Sequence, residues 1–472
     1  MPKRIIIIGA GEAGQMIVRE IRSHTRTGLD VVGFLDDDAS LHGQEVEGYR
    51  VLGGSADLPD VVRRHPVDEA IISVPSGSRE FVRRIVALCR DAGISFKIVP
   101  GLIEIIQGPV HLDQIREVHP EDLLGRETVE FDESAIGKEL EGRRVLVTGA
   151  GGSIGGEICR QLARFKLGGL CLLGRGENQI FQIEEELRNK HESLEITPLI
   201  SDVRDRDSLE HAFERHRPEF VYHAAAHKHV HYMESHPQEA VKNNIFGTAN
   251  VIETCRSAGV DRLVMISTDK AVKPLGVMGA TKRIAEYLMV AGSQREGSPR
   301  LITVRFGNVL GSRGSVVPLF IRQIRAGGPL TISNPDATRF FMTLKEACML
   351  VVQASMMGHG GEVFILQMGS PIRIMEIAKD LIALHGLRPG DDIEIREMGL
   401  REGEKLHEDL VGEEETVEES SHGFILTTQP RLPDGWNEEQ MLSELRKLSS
   451  RGDDAAIRSF LGSVIPDSSL SK

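Results

Sequence analysis

Thr268, Asp269 and Lys270 stand in immediate succession. A hydroxyl, a carboxylic acid and an amine side by side can relay, donate and accept protons, the repertoire of general acid–base catalysis. The apolar run 263–266 before them reads as a buried parallel strand. Ligands of open α/β sheets lie beyond the carboxyl ends of the strands, so position as well as residue type points to a reaction centre here. After a loop holding Pro274 and Gly276, a helix is expected to start at Met278. That start puts Met278 and Lys282 on one helix face, four residues apart.

The elements before this stretch read as a dinucleotide-binding unit. Strand 143–147 runs into Thr148-Gly149-x-x-Gly152-x-x-Gly155, and a helix continues to about Phe165. Gly149, Gly152 and Gly155, with Ser153 and Ile154 between them, allow a tight turn and close backbone approach to a pyrophosphate, whose charge the helix N-terminus stabilises. The next strand, 170–173, ends in Gly174-Arg175-Gly176-Glu177. An acid at position 174 would hold the adenosine ribose diol. Its absence beside Arg175 leans towards the 2′-phosphate of NADP, while Glu177 can still hold a diol, so NAD or NADP is the expected cofactor. Asp202 and Val203 close a third strand beside the adenine, and Ala224 and Ala225, in the strand 219–231, pass close to the nicotinamide ribose. His223, His227, His229, His231 and His236 lack the partner ligands and the spacing of a zinc site, so no metal is expected. Asn243 and Asn244 read equally well as solvated or as catalytic.

Beyond the reaction centre, strand 302–311 leads into Ser312-Arg313-Gly314-Ser315 and a helix over 317–325. Arg313 in that turn, Arg401 in the turn 401–406 and Arg339 between them can grip a diphosphate with guanidinium forks. Lys228, His229 and Asn308 are further candidate substrate contacts.

The whole chain fits this frame. Its 472 residues exceed one core, and an apolar content of 40% with 27% charged residues describes a soluble globular protein. A net charge of −14 disfavours nucleic acid. The longest early aliphatic run, 5–8, is too short for membrane insertion. Five scattered cysteines without CxxC indicate reduced thiols and a cytoplasmic setting. Residues 1–125 form a small Rossmann-like unit, with Gly9-x-Gly11-x-x-Gly14 after a strand and Asp36-Asp37-Asp38 after the next. That unit should fold alone and be dispensable for chemistry. Residues 126–141 read as a linker, 142–430 as the catalytic domain, and 431–472 as a C-terminal helix followed by a frayed tail from about Leu448.

TGAGGSIGGEI, HAAAHKHV, ISTDKAV, MGATK, VRFGNVLGSRGSVVPLF, TRFFMT and REGEKL occur in this order. Together, over roughly 125–430, they resemble the nucleotide-sugar 4,6-dehydratases of the CapD/PglF-type branch of extended short-chain dehydrogenases, in a soluble form without membrane helices. The resemblance implies an α/β fold of two Rossmann-like domains, the second with a smaller C-terminal substrate-binding portion, and a homo-oligomer. It implies UDP-N-acetylglucosamine as substrate and its 4-keto-6-deoxy derivative as product, by oxidation at C4, loss of the C5 proton and the C6 hydroxyl, and hydride return to C6.

Asp269 is then the acid for the C6 oxygen and Lys270 the C5 base, provided that burial and nearby positive charge lower its pKa. Thr268 takes the 4-OH contact and Lys282 the nicotinamide ribose. Short-chain dehydrogenases place a tyrosine where Met278 stands, and none of Tyr49, Tyr222, Tyr232 and Tyr287 stands four residues before Lys282. The methionine resembles the branch that retains configuration at C5. A UDP-hexose 4-epimerase would need no acid–amine pair at 269–270; a non-catalytic NAD(P)- or UDP-sugar-binding regulator is the reading from another class.

Overall fold

The computed structural model describes residues 2–23, 28–74, 77–99, 118, 129 and 131–470. They fall into two units. The first holds Met1–Glu130, Val316–Ile332 and Met375–Arg396, and the second Phe131–Ser315, Ser333–Ile374 and Glu397–Lys472.

In the first unit, β1 (Lys3–Ile8), β2 (Leu29–Leu35), β3 (Glu69–Ile72) and β4 (Ser95–Ile98) form a parallel sheet in the order β2-β1-β3-β4. Ile5 and Ile7 share a buried cluster with Ile17, Val18 and Ile21 of helix α1 (Glu12–Ser23). Ile6 and Ile8 share another with Val82, Ile85 and Val86 of α2 (Arg79–Asp91). Alternation along one strand thus supplies both layers. Asp36, at the end of β2, accepts hydrogen bonds from the amides of Ala10 (2.7 Å) and Asp38 (2.9 Å).

The unit is not confined to the N-terminal residues, as the sequence reading had it. Arg83 of α2 bonds to Glu376 (3.2 Å) and to Asp380 on the helix Ile374–Leu384, and Leu384 packs on the cluster around Val82. Two apolar faces separated by hundreds of residues found each other, which local pattern does not encode.

The second unit opens with α3 (Glu133–Leu140), where a linker was expected. Asp132 caps it by accepting from the Ala135 amide at 2.9 Å, and Ile136 and Leu140, four residues apart, are fully buried. Then β5 (Arg144–Thr148), α4 (Ser153–Leu162), β6 (Gly169–Gly174), α5 (Glu177–Lys190), β7 (Ile196–Ile200) and β8 (Phe220–His223) lead through a helix over Gly247–Ser257 to β9 (Arg262–Thr268), α6 (Val277–Ser293) and β10 (Arg300–Phe306). After α7 (Leu344–Met357) come β11 (Val363–Leu366), β12 (Val417–Glu419) and β13 (Ile425–Thr428). Strands β7-β6-β5-β8-β9-β10-β11 run parallel, and β13 and β12 join antiparallel at the β11 edge. The order reverses between β5 and β8, which opens a ligand crevice at their carboxyl ends.

The expected frayed tail is also helical. Beyond α8 (Glu438–Arg451), α9 (Asp454–Val464) buries Ile457 and Leu461 completely. Both helices share one cluster with Val251 and with Ile284 and Leu288 of α6, so α6 is covered on nearly every side. Among the described residues, no helix is long and apolar enough to cross a membrane.

Candidate active site

Thr268 ends β9, and Asp269 and Lys270 turn the chain through a single 3-10 turn. The Thr268 hydroxyl donates to Asp269 Oδ1 at 2.8 Å and accepts from the Lys270 amide at 3.4 Å. Lys270 Nζ donates to the same Oδ1 at 3.0 Å and to Asn308 Oδ1 at 3.3 Å. Asp269 is fully buried, and its Oδ2 has no hydrogen-bond partner among the described residues. A Cβ on Gly307 would stand 3.0 Å from that Oδ2, so the glycine gives the carboxylate its room. The chemistry-bearing triplet is therefore one hydrogen-bonded group, joined by Asn308.

A fourth member, Glu408, escaped the sequence reading. Its side chain is 2% exposed, and Oε1 lies 3.5 Å from Lys270 Nζ. Burial pushes the Lys270 amine down, but Asp269 and Glu408 outweigh it and the net shift is upward. The expected fall in Lys270 pKa is thus reversed, because Asp269 and, after it, Glu408 face the amine. Glu408 is itself shifted up, by burial and by Asp269, against Lys270, Lys405 and Arg339. Glu408 lies just past REGEKL, a segment singled out for its arginine.

Arg339 does not stand open to a diphosphate. Its buried guanidinium donates to the carbonyls of Thr338 (2.8 Å) and Leu406 (3.0 Å) and to Glu404 (2.9 Å), with Nε 4.0 Å from Glu408 Oε1. Lys405 Nζ bonds the Val272 carbonyl at 2.7 Å and lies 3.8 Å from Glu408 Oε2. These two cations hold the segment that carries Glu408. Arg401 and Arg313 are exposed, and the Arg313 amide donates to Ser153 Oγ at 3.0 Å, joining the substrate-side turn to the glycine turn. Lys228 reaches Ser312 Oγ at 3.4 Å, and a Cβ on Gly314 would press on the His229 ring at 2.8 Å.

Met278 and Lys282 are both buried on α6. Burial lowers the Lys282 pKa to about 8, against an upward pull from Glu286. Asn243 and Asn244 are buried in a π-helical turn, Val241–Phe246, rather than solvated. Asn244 accepts from the His227 amide (2.8 Å) and donates to the His227 carbonyl (3.1 Å) and to Thr281 Oγ1 (3.0 Å), tying the chain after β8 to α6. Beneath the site, Arg305 of β10 bonds Glu286 (2.8 Å) and Glu415 (2.7 Å), Arg283 bonds both acids, and Ser267 donates to Glu286 at 2.6 Å. Burial pushes the Glu415 carboxyl up, but Arg305 and Arg283 hold it at about 2.

The residues expected to bind the cofactor, Lys282 apart, follow the carboxyl ends of four neighbouring strands, β5, β6, β7 and β8. Gly149 has φ +68°, and a Cβ there would meet the Ala225 backbone at 2.8 Å; one on Gly155 would meet the Gly149 carbonyl oxygen at 2.2 Å. Gly152 caps α4 without a side chain, which leaves the first-turn amides next to Ser153 and Ile154 available to an anion. That cradle fits a dinucleotide pyrophosphate. Arg175 lies 3.7 Å from Asp202, which Arg204 also holds at 2.7 Å; Glu177 starts α5, and Val203 is buried. Ala224 and Ala225 bond Thr148 through their amides, at 3.1 and 3.3 Å.

The histidines do not gather at one point, although the rings of His229 and His231 meet edge to face with centroids 6.1 Å apart. His223 sits between the hydroxyls of Thr148 (2.8 Å) and Thr248 (3.1 Å), and burial lowers its pKa to about 3. Among the described residues no three His, Cys, Asp or Glu side chains gather as metal ligands would.

The sequence matches the family described as "Polysaccharide biosynthesis protein" over residues 145–430 and the "CoA-binding domain" family over residues 2–100. It is 43% identical over 415 residues to the capsular polysaccharide biosynthesis protein CapD of Staphylococcus aureus, covering 88% of this chain and 69% of CapD. A UDP-glucose 4-epimerase of Rickettsia conorii is 36% identical over 282 residues, 58% of this chain and 79% of the epimerase. The solved structure of Pen from Bacillus thuringiensis is 32% identical with a TM-score of 0.57, covering 65% of this chain and 98% of Pen.

Proposed function

Since the chain belongs to the polysaccharide biosynthesis protein family, as a CapD-type extended short-chain dehydrogenase/reductase, we propose that it is a UDP-N-acetylglucosamine 4,6-dehydratase that retains the C5 configuration. The product would be UDP-2-acetamido-2,6-dideoxy-α-D-xylo-hexos-4-ulose. The observation that carries this reading is the hydrogen-bonded group Thr268–Asp269–Lys270 at the end of β9. The reaction makes the chain a lyase with NAD or NADP as an internal cofactor, working in the cytoplasm, where five buried free cysteines remain reduced.

NAD or NADP, held by the glycine turn 149–155 and by Lys282, would supply the hydride acceptor for C4 and the hydride donor for C6. Every proton step falls to side chains of this protein. The O4 proton passes to Thr268, whose own hydrogen already points at Asp269 Oδ1, 2.8 Å away. The relay leaves Asp269 a carboxylic acid. Lys270, once neutral, takes the proton from C5 while Asp269 gives its proton to O6, and water leaves. The proton removed from O4 thus departs in that water. Lys270 then returns its proton to C5. Met278 has no ionisable proton, so Lys270 is the one group assigned to C5, and delivery from its side restores the original configuration. Exposed Arg313 and Arg401 are the proposed diphosphate contacts.

An epimerase needs only reversible oxidation at C4, and the likeness to the Rickettsia protein favours it as the second reading. Incubation with UDP-N-acetylglucosamine separates the two. Loss of one water by mass spectrometry, with xylo coupling constants in the first NMR spectra, supports the dehydratase. An unchanged mass with a C4-inverted sugar establishes the epimerase, and early arabino product overturns retention.

A further inference from the structure

Among the described residues Lys270 Nζ has three oxygen neighbours: Asp269 Oδ1 at 3.0 Å, Asn308 Oδ1 at 3.3 Å and Glu408 Oε1 at 3.5 Å. That surrounding suits an ammonium, and the two carboxylates raise the amine's pKa despite its burial. An ammonium has no lone pair, so in that form Lys270 cannot take a proton from carbon. One of the three neighbours has to relieve it first. An amide oxygen such as that of Asn308 is too weak a base. Asp269 is engaged by the proton from O4. Glu408 remains.

We propose that Glu408 accepts the Lys270 proton, so that the base at C5 is a Lys270–Glu408 pair. The assignment rests on the dehydratase reading above. The Glu408 side chain is 2% exposed, and its Oε2 has no hydrogen-bond partner among the described residues, an unusual state for a carboxylate kept only for structure. The charged groups facing it are Lys270, Asp269, Lys405 and Arg339. Lys270, Lys405 and Arg339 favour the ionised form of Glu408, while burial and Asp269 favour the neutral one, with a net shift upward. Protonation of Asp269 by the relay removes the nearest carboxylate charge from Lys270 and further eases loss of the ammonium proton, although the transfer to Glu408 does not require it.

The protons balance. A Lys270 N–H bond breaks and a Glu408 O–H bond forms. The C5–H bond breaks, its electron pair stays with the sugar, and an N–H bond reforms. When Lys270 has reprotonated C5, Glu408 returns its proton to the amine.

Exchange of the C5 hydrogen of the 4-keto-6-deoxy UDP-sugar with deuterium from solvent isolates this step, because it needs only the base. Glu408→Gln keeps an oxygen acceptor for Lys270 but cannot hold the proton. NMR should show C5 exchange slowed on the order of 10²- to 10⁴-fold, with the sugar's Kd changed less than threefold. Glu408→Asp should exchange at an intermediate rate, and formate should restore part of the rate to Glu408→Ala. Exchange by Glu408→Gln at the wild-type rate overturns the proposal, as does a loss explained by weaker sugar binding. Wild-type protein that exchanges C5 through Glu408 but never releases water from UDP-N-acetylglucosamine sinks the dehydratase reading and leaves the pair standing. Absence of exchange in wild-type protein sinks the pair.

Discussion

Lys282 is buried with its pKa brought down to about 8, below the ordinary 10.5. A native state that releases its proton at lower pH than the unfolded chain carries its full penalty below pH 8 and none above 10.5. Lys282→Met should therefore stabilise the fold by about 3 kcal/mol at pH 7, from 2.5 units at roughly 1.4 kcal/mol each. The gain should vanish in urea titrations near pH 10.5, and turnover should be lost throughout. A gain independent of pH would mean that packing, rather than charge, governs this position. At the end of β9, Asp269→Asn and Lys270→Ala should each abolish kcat while UDP-sugar binding survives in calorimetry; near wild-type kcat in either removes that residue from the mechanism. Thr268→Val should also lose kcat, because it cuts the relay to Asp269. These three residues were legible as neighbours in the chain. Glu408 was not, because only the folded chain brings it to Lys270, and spacing arguments do not reach so far.

At the scale of elements, the strands and glycine turns were legible, since buried parallel strands are continuous apolar runs and tight turns demand glycine. The strand expected over 219–231 ends at His223, with a helix from Val230 to Ser235. Two further misread segments, α3 and α9, are amphipathic helices that each bury only a narrow apolar face. Ile136 with Leu140 and Ile457 with Leu461 carried the signal, and Asp132 and Asp453 the caps, but surrounding charge masked both. The supports beneath the site were less legible still, because a buried ion network looks like surface charge in sequence. Glu286 joins β9, α6 and β10 through Ser267, Arg283 and Arg305. Glu286→Ala leaves Arg305 buried and partly unpaired, and should cost about 3–5 kcal/mol of stability by denaturant unfolding. A loss below about 1 kcal/mol, typical of an exposed pair, would show the network open to water.

At the scale of the molecule, the first unit borrows residues 316–332 and 375–396 from the far half of the chain. A truncation beginning at Gly125 therefore removes the partners of Glu376, Asp380 and Leu384 along with the N-terminal sheet. It should aggregate or lose activity on purification, contrary to the expectation that the N-terminal residues are dispensable. A soluble truncation with wild-type turnover would overturn this. The same arrangement sets a timetable for synthesis. Residues up to 130 leave the ribosome long before residue 396 does. At about 5–20 residues per second the early sheet waits for its last helix for roughly 10–50 s. Throughout that wait, Arg83 lacks Glu376 and Asp380, and the part of the Val82 cluster that Leu384 covers stays exposed to water and to nascent neighbours.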